Sequence, residues 1–165
     1  MSSSIGSESD GLDTVIKILE KADIAQLTTE DLKGNLVSRP LQLQETDSDG
    51  NLWFFTQDPS PKAEEIRANP NVNVSVHDSK GYLSISGTAS LTKDEAKIDE
   101  LWKTSAAAWF EEGREDPSVA LIKVDAHTAE YWASDEPRVA TMFKIAKSAA
   151  TGDTPNVGKT GIVDL

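Results

Sequence analysis

Ser60, Pro61 and Lys62 follow an aromatic run, Leu52 to Thr56, and open a short stretch of helix-forming residues that ends before Asn69-Pro70. A serine cap with proline in the first turn leaves backbone N–H groups and the positive helix end aimed at one spot, beside a hydroxyl and an ammonium. Such a spot suits an anion, although on its own the stretch reads first as an ordinary helix start with a surface lysine. Arg39, in Val37-Ser38-Arg39-Pro40-Leu41, changes the balance. It puts a cation inside a strand, where an unpaired charge facing a core is costly and wants an anionic partner. The two segments flank one expected hairpin, so Arg39 and Lys62 are able to meet at a single phosphate.

Other chemistries find little support. The chain has no cysteine and 2 histidines, His77 and His127, and it lacks a Gly-rich nucleotide loop, a Gly-x-Ser-x-Gly elbow and a His-Glu-x-x-His pair. His127 is expected in a hairpin turn and His77 near a strand end, both in surface or capping roles. The acidic run Glu111 to Asp116 lacks the ligand spacing of a calcium loop and reads as solvated.

The elements that must position Arg39 and Lys62 follow from period and punctuation. Residues 1–11 read as a disordered leader, 12–150 as the folded domain and 151–165 as an irregular tail. Asp13 is placed to cap a helix with an apolar stripe of Val15, Ile16, Ile18 and Leu19. Strands are expected at Ile24 to Thr28, at Leu36 to Gln44, and at Leu52 to Thr56 returning antiparallel to the second. More are expected at Val72 to Val76 and Tyr82 to Leu91, then at Val119 to Val124 and Thr128 to Trp132, joined by a turn through Asp125-Ala126-His127. Helices are expected near 93–108, behind the capping box Thr92-Lys93-Asp94-Glu95, and over Pro137 to Ala150. Five or six short antiparallel strands with peripheral helices imply a small barrel, since closure removes exposed edges.

Composition bounds what such a domain meets. A chain of 165 residues, 38% hydrophobic and 27% charged, is long enough to bury one core. Its net charge of −12 repels nucleic-acid phosphates and anionic lipid, and its basic residues are scattered. There is no apolar run of membrane-spanning length and no basic-then-apolar signal segment, so a cytoplasmic location is expected.

The stretches "LVSRPLQLQ", "LWFFTQDPSPKAEEIRANPNVNVSV", "YLSISGTASL", "AAAWFEEGREDPSVALIKV" and "AEYWASD" carry a resemblance in their order and spacing. From about Ile24 to Asp135 the chain resembles the pyridoxamine 5′-phosphate oxidase-like flavin-binding split-barrel superfamily, most closely its bacterial general stress protein branch. The resemblance implies a mainly β, α+β fold, a six-stranded antiparallel split β-barrel that binds FMN. It assigns Arg39 and Lys62 to the phosphate with Ser60 helping, and lays Ser38, Pro40 and Leu41, with Phe55 and Thr56, along the isoalloxazine. It implies a homodimer in which Tyr82, Ser84 and Trp132 approach the flavin from the partner subunit or from the opposite side of the barrel. Trp132 reads equally as a core aromatic.

Departures narrow the expectation. The true oxidases carry an Arg-x-His motif soon after the Trp132 position, whereas this chain has Arg138-Val139-Ala140-Thr141-Met142. Pyridoxamine phosphate oxidation is therefore not expected. Pro61 stands where the oxidases usually have a second basic residue, which implies modest flavin affinity. The missing acid–base machinery suits a flavoprotein, because the cofactor itself carries the electrons. The expectation is an FMN-dependent oxidoreductase passing electrons between NAD(P)H, docking briefly, and an unidentified small molecule. Its rival is a protein that buffers or senses flavin without a substrate. Relatives that bind the deazaflavin F420 or haem keep a third reading open; 2 histidines and no cysteine make haem the less attractive of these, with His77 or His127 to be tested as an axial ligand.

Overall fold

In the computed structural model, which describes residues 8–78, 81–133, 146–152 and 159–165, two aspartates shape the first turns. Asp31 accepts hydrogen bonds from the backbone N–H groups of Lys33 (2.9 Å) and Asn35 (2.8 Å). Asp47 does the same for Asp49 (3.0 Å) and Asn51 (2.9 Å), and also takes the indole N–H of Trp53 at 2.8 Å. Gly34 and Gly50, at φ +86° and +84°, supply the left-handed step each turn needs.

These turns link β1 (Ile24–Glu30), β2 (Leu36–Gln42), β3 (Glu45–Thr46) and β4 (Asn51–Gln57), behind a first helix α1 (Glu8–Lys21). After α2 (Pro61–Ala68) come β5 (Asn71–Asp78) and β6 (Gly81–Thr92). Then follow α3 (Glu95–Leu101), α4 (Thr104–Ala107), a 3₁₀ turn at Gly113–Glu115, β7 (Val119–Ala133) and β8 (Lys159–Asp164). The strands form one antiparallel sheet in the order β2-β1-β5-β6-β7-β4-β3, with β8 on β7. The sheet curls into a half-barrel, and the end of β2 returns to β4 where the Gln44 N–H donates to the Trp53 carbonyl at 2.9 Å. The α+β, mainly antiparallel architecture is the expected one, with eight strands in place of six.

Alternation fills the concave face. Leu27, Val74, Ile85 and Ala129 are each 0% exposed and stand on neighbouring strands, with Val15, Ile18 and Leu19 of α1 packed over them. Ile16 of the expected stripe instead points outward. On β4 and β7 the alternation fails, because Leu52, Trp53 and Phe54 in one and Val119 to Ile122 in the other are buried consecutively. A second cluster explains this: Ile98, Leu101 and Phe110, from α3 and the segment after α4, cover the outer face of those two strands. Strands covered on both faces read as continuous apolar runs.

Several expectations are corrected. β4 pairs over its full length with β7, Asn51 to Gln57 against Val119 to Asp125, and not with β2. The strands expected on either side of Asp125-Ala126-His127 are one strand with a register shift: Ser86 pairs with Thr128 and Gly87 with Ala126, leaving His127 as the extra residue. Gly87 is required there, since a Cβ would collide with the Asp125 carbonyl oxygen. The expected leader is helical from Glu8, and the expected irregular tail contains β8, paired residue for residue with Thr128 to Ala133. Within the helix expected over Pro137 to Ala150, residues 146–151 are helical, while 137–145 and the Arg138 to Met142 stretch lie outside the described residues. Among the described residues, no helix is long and apolar enough to cross a membrane.

Candidate functional site

The loop from β4 into α2 is held on three sides. The Asp58 N–H donates to the Ser118 carbonyl at 2.9 Å, the Asp58 carboxylate receives the Arg67 guanidinium at both oxygens, and Lys93 Nζ donates to the Asp58 carbonyl at 3.4 Å. The Asp58–Pro59 peptide bond is cis. Ser60 then caps α2 in extended conformation, its hydroxyl accepting from the Ala63 N–H at 3.2 Å, and Pro61 takes the first helical position. Ala63 and Ile66 bury the helix against the sheet. The fixed result is a helix start that carries Lys62 beside β2.

Between β2, β4, the start of α2 and the segment after α4 lies a cavity of about 670 Å³, within the range of small-molecule clefts. Arg39, Pro40, Leu41, Phe55, Thr56, Ser60 and Lys62 all line it. The cations are at one end. Arg39 Nη1 donates to Thr29 Oγ1 at 2.7 Å, and Nη2 donates to Glu65 Oε2 at 3.2 Å. Thr29 Oγ1 in turn donates to Glu65 Oε2 at 2.8 Å. The anionic partner that the strand arginine needs is thus a carboxylate one turn along α2, and the pair is largely buried, at 21% and 13% side-chain exposure. Lys62 has its pKa lowered by burial first and by the Arg39 charge second, with Glu65 partly opposing. Two cations against one carboxylate leave this end with net positive charge.

Another part of the lining is apolar. Phe55 meets Trp102 edge to face at 5.5 Å and Phe110 at 6.4 Å, and Ala106, Trp109 and Phe110 complete the wall. The arrangement is able to hold an anion at the two cations and a flat apolar body against the aromatic wall.

Four expected site residues lie elsewhere. Leu27 pairs with Arg39 and Thr28 with Ser38, so when Arg39 points inward Ser38 points out, its hydroxyl 3.5 Å from Gln26 Oε1. Ser84 is on the same convex face, accepting from Asn73 Nδ2 at 2.9 Å. Tyr82 and Trp132 are cross-strand neighbours there, 56% and 42% exposed, and Tyr82 stacks on His77 with centroids 4.3 Å apart. Trp132 is therefore not a core residue of the subunit. His127 Nε2 lies 3.4 Å from Thr88 Oγ1, away from the cavity.

Sequence reasoning gave no role to Glu65, Ala106, Trp109 or Phe110. Glu65 had a local signal, standing one helical turn after Lys62 on the same face. The others had none, because they reach the cavity only when the segment after α3 folds back across β4.

Comparison with known proteins bears on this geometry. The family model described as "Pyridoxamine 5'-phosphate oxidase like" matches residues 10–156. Protein bli-3 of Neurospora crassa is 32% identical over 147 residues, covering 82% of this chain and 70% of that protein. A putative general stress protein 26 from Jannaschia superposes with a TM-score of 0.73 at 27% identity, covering 96% of this chain and 100% of that one. A structure described as the general stress FMN/FAD binding protein from Xanthomonas citri gives a TM-score of 0.67 at 29% identity, over 78% of this chain and 92% of that one.

Proposed function

The chain belongs to the pyridoxamine 5′-phosphate oxidase-like family, and from that premise we propose that it is a stress-associated protein that binds FMN in the cavity between β2, β4 and α2. The carrying observation is that one cavity is lined both by the cations Arg39 and Lys62 and by the apolar side chains of Leu41, Phe55 and Phe110. The FMN and FAD named for the Xanthomonas citri relative support the same reading. A phosphate monoester fits the cationic end, where the positive end of α2 and the Lys62 N–H add to the two charges. Glu65 stays on Arg39, so the phosphate shares that guanidinium with a carboxylate, and binding is modest rather than tight.

FMN, when bound, supplies the electron-accepting and electron-donating chemistry. The residues of this chain do the rest. Arg39 and Lys62 fix the phosphate, Pro40, Leu41, Phe55 and Thr56 flank the ring, and the aromatic wall excludes water from one side. The reaction proposed is electron transfer between NAD(P)H and a small acceptor. The convex sheet face, with Tyr82, Trp132 and Ile162 exposed on adjoining strands, is the surface a second copy covers in a homodimer.

Titration of the purified protein with FMN, FAD and riboflavin, followed by flavin fluorescence, tests the site. FMN is expected to saturate and riboflavin to bind at least tenfold more weakly, with a folded Arg39→Ala/Lys62→Ala double variant losing the difference, since each charged hydrogen bond contributes roughly 1.5–3 kcal/mol. Equal binding of FMN and riboflavin by the wild type sinks the phosphate assignment. Steady NAD(P)H oxidation by the loaded protein separates an oxidoreductase from a flavin reservoir.

A further inference from the structure

Trp109 combines a fixed backbone with an uncovered ring. It is 73% exposed, against 8% for Trp53, yet it lines the cavity. Its neighbour Phe110 is 4% exposed and anchored in the second core, 5.8 Å from Trp102 and 6.4 Å from Phe55. The Trp109 N–H donates to the Ala106 carbonyl at 3.1 Å, and Gln57 Nε2 reaches from β4 to the Trp109 carbonyl at 2.8 Å. The main chain is thus tied on both sides at the rim while the indole, a large flat apolar surface, faces water. Exposure of this kind on an apolar cavity wall is what an occupant of matching shape would relieve.

We propose that Trp109 is the stacking residue of this cavity, laying its indole on the planar ring of a phosphorylated heteroaromatic ligand whose phosphate sits at Arg39 and Lys62. Gln57 is a positioning residue that holds the Trp109 backbone at the rim. The inference rests on the flavin reading and deepens it. It assigns ring recognition to the segment after α4, which lines the same cavity as Arg39 and Lys62.

The test compares wild type, Trp109→Phe and Trp109→Leu, all checked for native circular dichroism, in FMN titrations and in the emission of the bound flavin. An indole in contact with a flavin quenches its emission by transient electron transfer, and a phenyl ring does so far less. Trp109→Leu is expected to weaken FMN binding by roughly five- to a hundredfold, the range for loss of an aromatic stacking platform. Trp109→Phe is expected to stay within a few-fold of wild type while its bound FMN becomes several-fold brighter. Binding of inorganic phosphate should be the same in all three. FMN binding with affinity and emission unchanged across the variants overturns the stacking role and leaves the flavin site standing. A wild type that binds no FMN overturns both. A change of oligomeric mass in Trp109→Leu, with flavin emission unaltered, places Trp109 in a subunit contact and also overturns the proposal.

Discussion

An ammonium taken out of water beside a guanidinium gives up its proton more readily than a free one, and Lys62 is in that position. Its lowered pKa has a consequence for binding. The charged amine is the form that attracts a phosphate, so FMN affinity is expected to hold at neutral pH and to fall as alkaline pH passes through the lowered Lys62 value. The fall begins below the ordinary lysine range near 10.5. Lys62→Arg, with a guanidinium that stays charged, should flatten that alkaline limb, and riboflavin, lacking the phosphate, should show none of it. Calorimetric titrations across the alkaline range measure all three. An alkaline loss that survives in Lys62→Arg would assign the titration to another group.

At the scale of elements, β8 is the part least legible beforehand. In Lys159-Thr160-Gly161-Ile162-Val163-Asp164 the core receives Val163, at 6% exposure, while Ile162 beside it is 69% exposed. One inward apolar residue, with a glycine two positions before it on the same face, gives no readable period, and the strand is specified by the free edge of β7 instead. Val163→Asp is accordingly expected to lower stability by several kcal/mol, a charge being placed against Tyr131 and α1. Ile162→Ser should leave the subunit's stability within about 0.5 kcal/mol. Urea midpoints distinguish them, and similar midpoints for both variants would deny β8 a place in the core. The break expected in β7 has a related reason: Asp125-Ala126-His127 is polar and turn-like in sequence, but its partner β6 continues past it, and β7 carries His127 as a bulge. The site divides the same way. An arginine within a strand and a Ser-Pro-Lys helix start are local signals, so Arg39 and Lys62 were legible. Trp109 meets Gln57 across 52 residues, a contact that no window of sequence displays.

For the whole molecule, charge and exposed surface pull against each other. Two copies at −12 each repel, while the convex face offers Tyr82, Trp132 and Ile162 for burial. The proposed dimer should therefore tighten as salt rises from about 0.01 M to 0.15 M, where screening shortens from about 30 Å to 8 Å. Trp132→Glu should yield a folded monomer, and light scattering at both salts reads the two effects. A monomeric wild type at 0.15 M would remove the homodimer.

The position of β7 also governs how the chain is made. β1, β2, β5 and β6 find their partners among themselves by Thr92, but β4 must wait for Val119 to Asp125. At synthesis rates of about 5–20 residues per second, the apolar run Leu52-Trp53-Phe54, paired only with the short β3, stands without β7 for several seconds after it leaves the ribosome. An unfinished chain is thus more adhesive than a finished one, and the exposure ends when a single late strand arrives. The demand on chaperones falls on nascent copies, and rises whenever translation slows between β4 and β7.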